Sequence, residues 1–130
     1  MIKATSKATP YQVQFTNGKH TALADTKYYE TGGDAGFQPH ELLEAALATC
    51  MNMTARMYAA KHAVPLKQVV TKVLLDRSGE EQVVFNCVVE LKGKLTFEQK
   101  QAILAAARAC PVRKTLLRGV RFKDEKLEKI

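Results

Sequence analysis

Tryptophan is absent from the sequence, and its other aromatic residues, four Tyr and five Phe, are scattered rather than grouped. No aromatic row alternates with basic residues, so a stacking platform for nucleic acid is not expected. Long apolar runs are missing as well. The richest stretch, residues 45–57, is interrupted by Thr49, Asn52, Thr54 and Arg56, whereas a membrane-spanning helix needs ~20 mostly apolar residues. The start, M-I-K-A-T-S-K, has no apolar core of the kind a secretory signal carries, so the expected compartment is the cytoplasm. Cysteine is scarce. The three, at 50, 87 and 110, form no C-x-x-C pair, and His20, His40 and His62 are dispersed. That excludes a metal-finger pattern and predicts neither metal nor cofactor. With 7 Gly, 4 Pro and 46% hydrophobic residues, collagen-like, disulfide-rich and disordered classes are excluded too.

The 130 residues fit one domain, 1–130, since domains cluster near ~100–150 residues. No linker, repeat or low-complexity segment divides them. The net charge of +7 is uneven: residues 1–90 hold nine Lys/Arg against nine Asp/Glu, and residues 91–130 hold eleven against four. Such asymmetry points to nucleic acid, an acidic protein partner, an anionic substrate or simply a solvated basic face.

Residues 11–15 (Y-Q-V-Q-F) alternate with period two, Asn17-Gly18 follows, and a second alternating run extends from Lys19 to about Lys27. Asn-Gly between alternating runs predicts a hairpin. A glycine-bearing loop fills 31–38. Pro39, Glu41 and Glu44 suit the start of a helix, and Leu43, Ala46, Leu47, Cys50, Thr54 and Met57 recur at helical spacing to about His62. Strands are expected at 67–76 and 82–92, joined by R-S-G-E-E, with Val83, Phe85, Cys87, Val89 and Leu91 on one face. Thr96 with Gln99 forms a capping-box pair opening a helix to about Arg108. Pro111 starts a short helix ending near Gly119, and residues 120–123 read as a last strand. This order is α+β.

Cys87 reads as a buried core thiol. The helical neighbours of Cys50 favour packing on periodicity alone. Cys110 precedes Pro111 and so lies close to a helix N-cap, where unpaired backbone N–H groups and the positive helix end favour a thiolate. Arg108, Arg113 and Lys114 add positive charge nearby. An ordinary thiol of pKa ~8.5 is only a few per cent ionised at pH 7, so Cys110 is a reactive-cysteine candidate, with an inert capping cysteine as the alternative.

The segment Q-P-H-E-L-L-E-A-A-L-A-T-C-M-N-M-T, followed 60 residues after its cysteine by A-C-P-V-R-K-T-L, resembles the OsmC/Ohr family, whose members carry a P-x-E-L helix leading to one cysteine and a later C-P motif. The hairpin, glycine loop and strand pair match the family's order, so the resemblance covers essentially the whole chain. It implies an OsmC-like fold assembled as an intertwined homodimer, with β-sheets wrapping long central helices and the cysteine pair at the subunit interface. It further implies a thiol peroxidase of organic hydroperoxides acting in oxidative stress defence. Cys50 would be the nucleophile, oxidised to a sulfenic acid, and Cys110 the thiol that condenses with it as a disulfide. A dithiol reductant, for which a lipoyl-bearing protein is one candidate, would then restore both.

Two departures stand out. Family peroxidases hold the nucleophile with an arginine from the N-terminal strands, but no Arg precedes Arg56 here, leaving that role vacant or to Lys19 or Lys27. A lysine lacks the planar fork of a guanidinium. The family's glutamate directly after the proline is replaced by His40, with Glu41 beside it and Glu44 one turn on. His40 lies about 15 Å along the helix from Cys50 at ~1.5 Å per residue, so only a second subunit or a bend brings them together. A surface position at the helix start is the plainer reading of His40. A second functional reading is a binding protein on the same fold, without peroxidase activity, that holds a small apolar or electrophilic ligand at the dimer interface. No membrane or nucleic-acid partner is expected.

Overall fold

Asn17 begins the first turn. Its side-chain Oδ1 accepts the Lys19 and His20 amides at 2.9 and 2.8 Å, and Gly18 sits at φ +95°, where a Cβ is disfavoured. In the computed structural model, which describes residues 1–27, 32–123 and 125–128, this turn joins β2 (Val13–Thr16) to β3 (Thr21–Ala24). The predicted hairpin is present. Asn17 serves it as a side-chain acceptor in an Asx turn. A strand not foreseen, β1 (Lys3–Ser6), pairs antiparallel with β2, Lys3 opposite Thr16 and Ser6 opposite Val13. All four of its residues are exposed, so it has no buried face to leave a pattern in the sequence.

After β3, Ala24 bridges to Phe37. Gly36 makes this approach feasible, because a Cβ there would collide with the Leu23 carbonyl. Between them Asp25 organises the loop. Its carboxylate accepts the Ala35 amide at 3.0 Å, the Thr26 amide at 2.7 Å and Gln12 Nε2 at 3.4 Å. Those donors, Ala35 foremost, hold its pKa below the usual aspartate value. Tyr28 and Tyr29, and Thr31 at the head of the expected loop, lie outside the described residues.

The remaining elements are α1 (Pro39–Lys61), β4 (Leu66–Asp76), β5 (Val84–Gly93), α2 (Phe97–Arg108) and α3 (Pro111–Leu117). β4 and β5 form a two-stranded sheet. On β5 the less exposed face carries Phe85, Cys87, Val89 and Leu91, as the alternation predicts, whereas Val83 precedes the strand and is exposed; Cys87 is half-buried rather than enclosed. α2 begins at a complete capping box: Thr96 accepts the Gln99 amide, and Gln99 accepts the Thr96 amide. Residues 120–123 differ from expectation. They take no strand conformation, with Val120 and Phe122 exposed, because period-two alternation specifies a strand only where an edge is there to pair with it.

The contacts divide the chain into two compact units. Unit 1 comprises Met1–Ala48 and Lys72–Val88, and unit 2 comprises Thr49–Thr71 and Val89–Ile130. In unit 1 the Leu75 amide donates to Glu44 Oε1 at 2.9 Å, fastening α1 to β4. In unit 2 Asn52 Nδ2 donates to the Val69 carbonyl at 3.0 Å. The core of unit 2 consists of Met51, Ala55, Ala59, Val69, Ile103, Ala107 and Cys110. The buried stripe of α1 is therefore Leu47, Met51, Ala55 and Ala59, at i, i+4 spacing. Leu43, Ala46 and Met57, placed on the core face by the sequence pattern, are exposed, and Cys50 and Thr54 are half-buried. α1 is apolar around much of its girth, and its alanines allow close approach where larger residues would not.

Candidate functional site

Cys50 projects from the middle of α1 and is half-buried; Cys110 is fully buried, and both are free thiols. Cys110 is the N-cap of α3, with extended backbone (φ −63°, ψ 149°), and Pro111 follows at the first helical position. Proline's fixed φ favours helix initiation there, and its missing N–H costs nothing, since the first amides of a helix lack partners anyway. The Cys110 carbonyl accepts the Lys114 amide at 3.1 Å, closing the first turn.

The Cys110 side chain makes no capping hydrogen bond. Instead the Val112 amide donates to Cys50 Sγ at 3.5 Å, so the sulfur of a residue 62 positions away satisfies an orphan donor of α3. The Cys110 thiol lies within hydrogen-bonding reach of Cys50. Two residues distant in sequence thus meet at one helix start, in unit 2.

The electrostatics of Cys110 differ from the sequence expectation. Burial pushes its thiol pKa up, and the hydrogen bond and proximity to Cys50 push the same way; the Arg113 amide and guanidinium oppose them without prevailing. Helix start and cationic neighbours are in place, yet desolvation of a fully enclosed sulfur outweighs them. Cys110 is therefore a protonated thiol and a hydrogen-bond donor at neutral pH.

The other expected site residues fall elsewhere. Lys19 is exposed in the β2–β3 turn. Arg113 is half-buried on the first turn of α3, beside the thiols. Lys27, His40, Glu41 and Glu44 line a cleft of about 390 Å³ in unit 1, with Leu74, Leu75 and Arg77 on its walls. Glu41 Oε1 there accepts Gln38 Nε2 at 2.9 Å, and Glu44 Oε1 accepts the Leu75 amide. One oxygen of each carboxylate is thereby committed, that of Glu41 to the local start of α1 and that of Glu44 to β4. His40 is exposed at the helix start. Arg77 was not singled out from sequence: it stands in the β4–β5 turn, where an arginine ordinarily reads as a solvated turn residue. Unit 1 also carries an apolar groove of about 840 Å³, lined by Ile2, Tyr11, Val13, Phe15, Leu42 and Ala46 among others. Among the described residues no cluster of three or more His, Cys, Asp or Glu is placed to hold a metal ion, and no helix is long and apolar enough to cross a membrane.

A family model described as OsmC-like protein matches residues 32–125, a span containing both Cys50 and Cys110. Among curated proteins none matches significantly. Solved structures agree on the fold. The OsmC-like protein of Mycoplasma pneumoniae is similar with a TM-score of 0.75 at 22% identity, over 92% of this chain and 87% of that one. The organic hydroperoxide resistance protein OhrB of Bacillus subtilis is similar with a TM-score of 0.64 at 21% identity, over 92% and 90%. An organic hydroperoxide resistance protein from Elizabethkingia anophelis gives 0.62 at 18% identity, over 91% and 86%.

Proposed function

The chain belongs to the OsmC-like protein family, and from that membership and the paired sulfurs we propose that it is a cysteine-based thiol peroxidase, reducing organic hydroperoxides in oxidative stress defence at the expense of a dithiol. The observation that carries this reading is the meeting of Cys50 and Cys110 at the start of α3, with the Val112 amide directed at Cys50 Sγ. Structural relatives named organic hydroperoxide resistance proteins support the substrate class.

The two sulfurs take different roles because their surroundings differ. Cys50, the more accessible, attacks the peroxide as a thiolate. The O–O bond breaks, Cys50 becomes a sulfenic acid and the alcohol departs. Cys110 keeps its proton while Cys50 reacts, then attacks the sulfenic sulfur, forming the Cys50–Cys110 disulfide and releasing water. A dithiol restores both thiols. No cofactor enters the scheme.

A homodimer completes this reading. α1 runs unbroken from Pro39 to Lys61, so the ~15 Å rise between His40 and Cys50 stands within one chain. The cleft bearing Lys27, His40, Glu41, Glu44 and Arg77 is offered to the thiols of a second copy, and there Arg77 supplies the guanidinium that the N-terminal strands lack. Exposed Leu43, Met57, Leu74, Val84 and Val88 supply apolar surface for the association.

With cumene hydroperoxide and dithiothreitol, the reduced wild-type protein is expected to consume peroxide catalytically. Cys50→Ser abolishes consumption, and Cys110→Ser leaves a single turnover. Absence of consumption by the wild type overturns the peroxidase assignment. A second reading, a binding protein on the same fold, is favoured by the apolar groove of unit 1. It predicts saturable binding of a small apolar molecule by a protein that leaves peroxide untouched.

A further inference from the structure

From Gln99 to Lys123 the sequence contains no Asp or Glu, while Lys100, Arg108, Arg113, Lys114, Arg118, Arg121 and Lys123 give seven cations. This run belongs to unit 2 and includes α3 and all of α2 after its first two residues, Phe97 and Glu98. Arg108 ends α2, Arg113 and Lys114 lie on the turn that Cys110 caps, and Arg118 caps the other end of α3. All except the half-buried Arg113 are exposed. The helix that Cys110 caps, and the end of α2 that leads to it, thus carry charge of a single sign.

We infer that this face docks the electron donor, and that the donor is a protein with an acidic surface around its dithiol. The inference rests on the peroxidase reading, which requires that the Cys50–Cys110 disulfide be reopened. Charge complementarity selects the partner: facing potentials of opposite sign raise association rates by roughly 10- to 1,000-fold at low ionic strength. A nucleic acid fits less well. Phe97 lies just before the run and Phe122 near its end, and no aromatic lies between Gln99 and Arg121, so no row of aromatics alternates with the charge.

Accessibility determines the chemistry. Cys110 is enclosed and Cys50 half-exposed, so a donor thiolate attacks Cys50 Sγ. The Cys50–Cys110 bond breaks, and Cys110 leaves as a thiolate and takes up a proton. The donor's second thiol, as a thiolate, then displaces Cys50 from the mixed disulfide, and Cys50 is protonated in turn. Two electrons and two protons pass to the protein, and the donor departs as an internal disulfide.

The test uses full-length protein oxidised with one equivalent of cumene hydroperoxide and follows disulfide reopening by stopped flow. The reductants are dithiothreitol and two synthetic peptides sharing one Cys-x-x-Cys dithiol, flanked by glutamates in one and lysines in the other. At low salt the glutamate peptide is expected to react about tenfold faster than the lysine peptide. That advantage is expected to shrink toward parity near ~0.5 M salt, where screening is short-ranged. In the Lys114→Gln/Arg118→Gln double variant the preference falls severalfold, while the dithiothreitol rate stays within about twofold of wild type. Equal peptide rates at low salt, with dithiothreitol reopening the disulfide normally, overturn the docking inference alone. Peptide parity accompanied by tight, salt-sensitive binding of duplex DNA assigns the face to nucleic acid and overturns it too. If peroxide forms no disulfide at all, the peroxidase reading fails and this inference falls with it.

Discussion

In unit 2 the chain closes around its own sulfur pair, with Met51, Ala55, Ala59, Val69, Ile103, Ala107 and Cys110 all buried. Among the described residues of unit 1 the buried apolar side chains are Ala24 and Leu47, beside buried Asp25 and Gln38. Leu43, Leu74, Val83, Val84 and Val88 stay in the open, as do a charged cleft and an apolar groove. The thiol pair thus lies beside a core that unit 2 builds from its own residues, although Met53, Met57, Phe97, Leu117, Val120 and Phe122 of that unit stay exposed. Unit 1 buries fewer apolar side chains among its described residues and carries the charged cleft and the apolar groove, and an exposed apolar groove marks a place where something binds. Sulfur chemistry gains from the first arrangement, because enclosure keeps Cys110 protonated and in place. Recognition gains from the second.

The largest test of this contrast is core truncation. Ile103 has no exposed surface, and Ile103→Ala is expected to lower stability by about 2–5 kcal/mol in urea unfolding. Leu74 is 63% exposed, and in monomeric protein Leu74→Ala is expected within about 0.5 kcal/mol of wild type. Equal losses in the monomer would break the contrast, since unit 1 would then be as well packed as unit 2.

A charge on the open face sharpens it. Leu74→Asp or Val88→Asp, followed by analytical ultracentrifugation, is expected to weaken self-association by at least about tenfold if these side chains lie near the centre of a subunit interface. The fold of the separate chain should survive, because both positions are exposed in it. An unchanged dissociation constant for both variants would leave that surface to some other occupant. A smaller effect is expected from Thr96→Ala, which removes the reciprocal cap of α2. Its cost in unit 2 is about 1 kcal/mol by the same unfolding assay.

Much of the fold was legible because its signals are local. Asn17-Gly18 marked the hairpin, Pro39 and Pro111 marked helix starts, and Thr96 with Gln99 marked α2, each through a hydrogen bond or a fixed dihedral within four residues. What was not legible depends on partners far along the chain. β1 is visible only as an addition to β2. Residues 120–123 alternate like a strand but are not paired as one among the described residues. The buried stripe of α1 could not be chosen from a helix apolar on several sides. In the candidate site, the motif pair singled out Cys50 and Cys110, but not the direction of the Cys110 shift. A helix start is written in the sequence, whereas complete burial is a property of the packed core. Arg77 was missed for a similar reason, since a turn residue joins a cleft only once α1 lies against β4.

The finest test sets the two units against each other along the pH axis. Asp25 and Asp76, both in unit 1, have carboxylates held below the usual aspartate range: Asp25 chiefly by the Ala35 and Thr26 amides, Asp76 by the Ser78 side chain and amide. A depressed carboxylate contributes stability above its unfolded pKa, near ~3.9, and loses that contribution as pH falls through its lower folded value. Cys110, in unit 2, is shifted the opposite way. A raised thiol contributes stability below its unfolded pKa, near ~8.5, and loses it as pH rises through the folded value. Acid is therefore expected to loosen unit 1 first and alkali unit 2 first, as amide hydrogen exchange of reduced protein, corrected for intrinsic pH dependence, would register. The Ala35 amide should lose protection in acid, and amides around Ile103 should lose it in alkali. Cys110→Ser should remove the alkaline loss while leaving the acid loss intact. Simultaneous loss in both units at both extremes would mean that the chain opens as one cooperative body, and the contrast between its halves would be one of exposure rather than of independent stability.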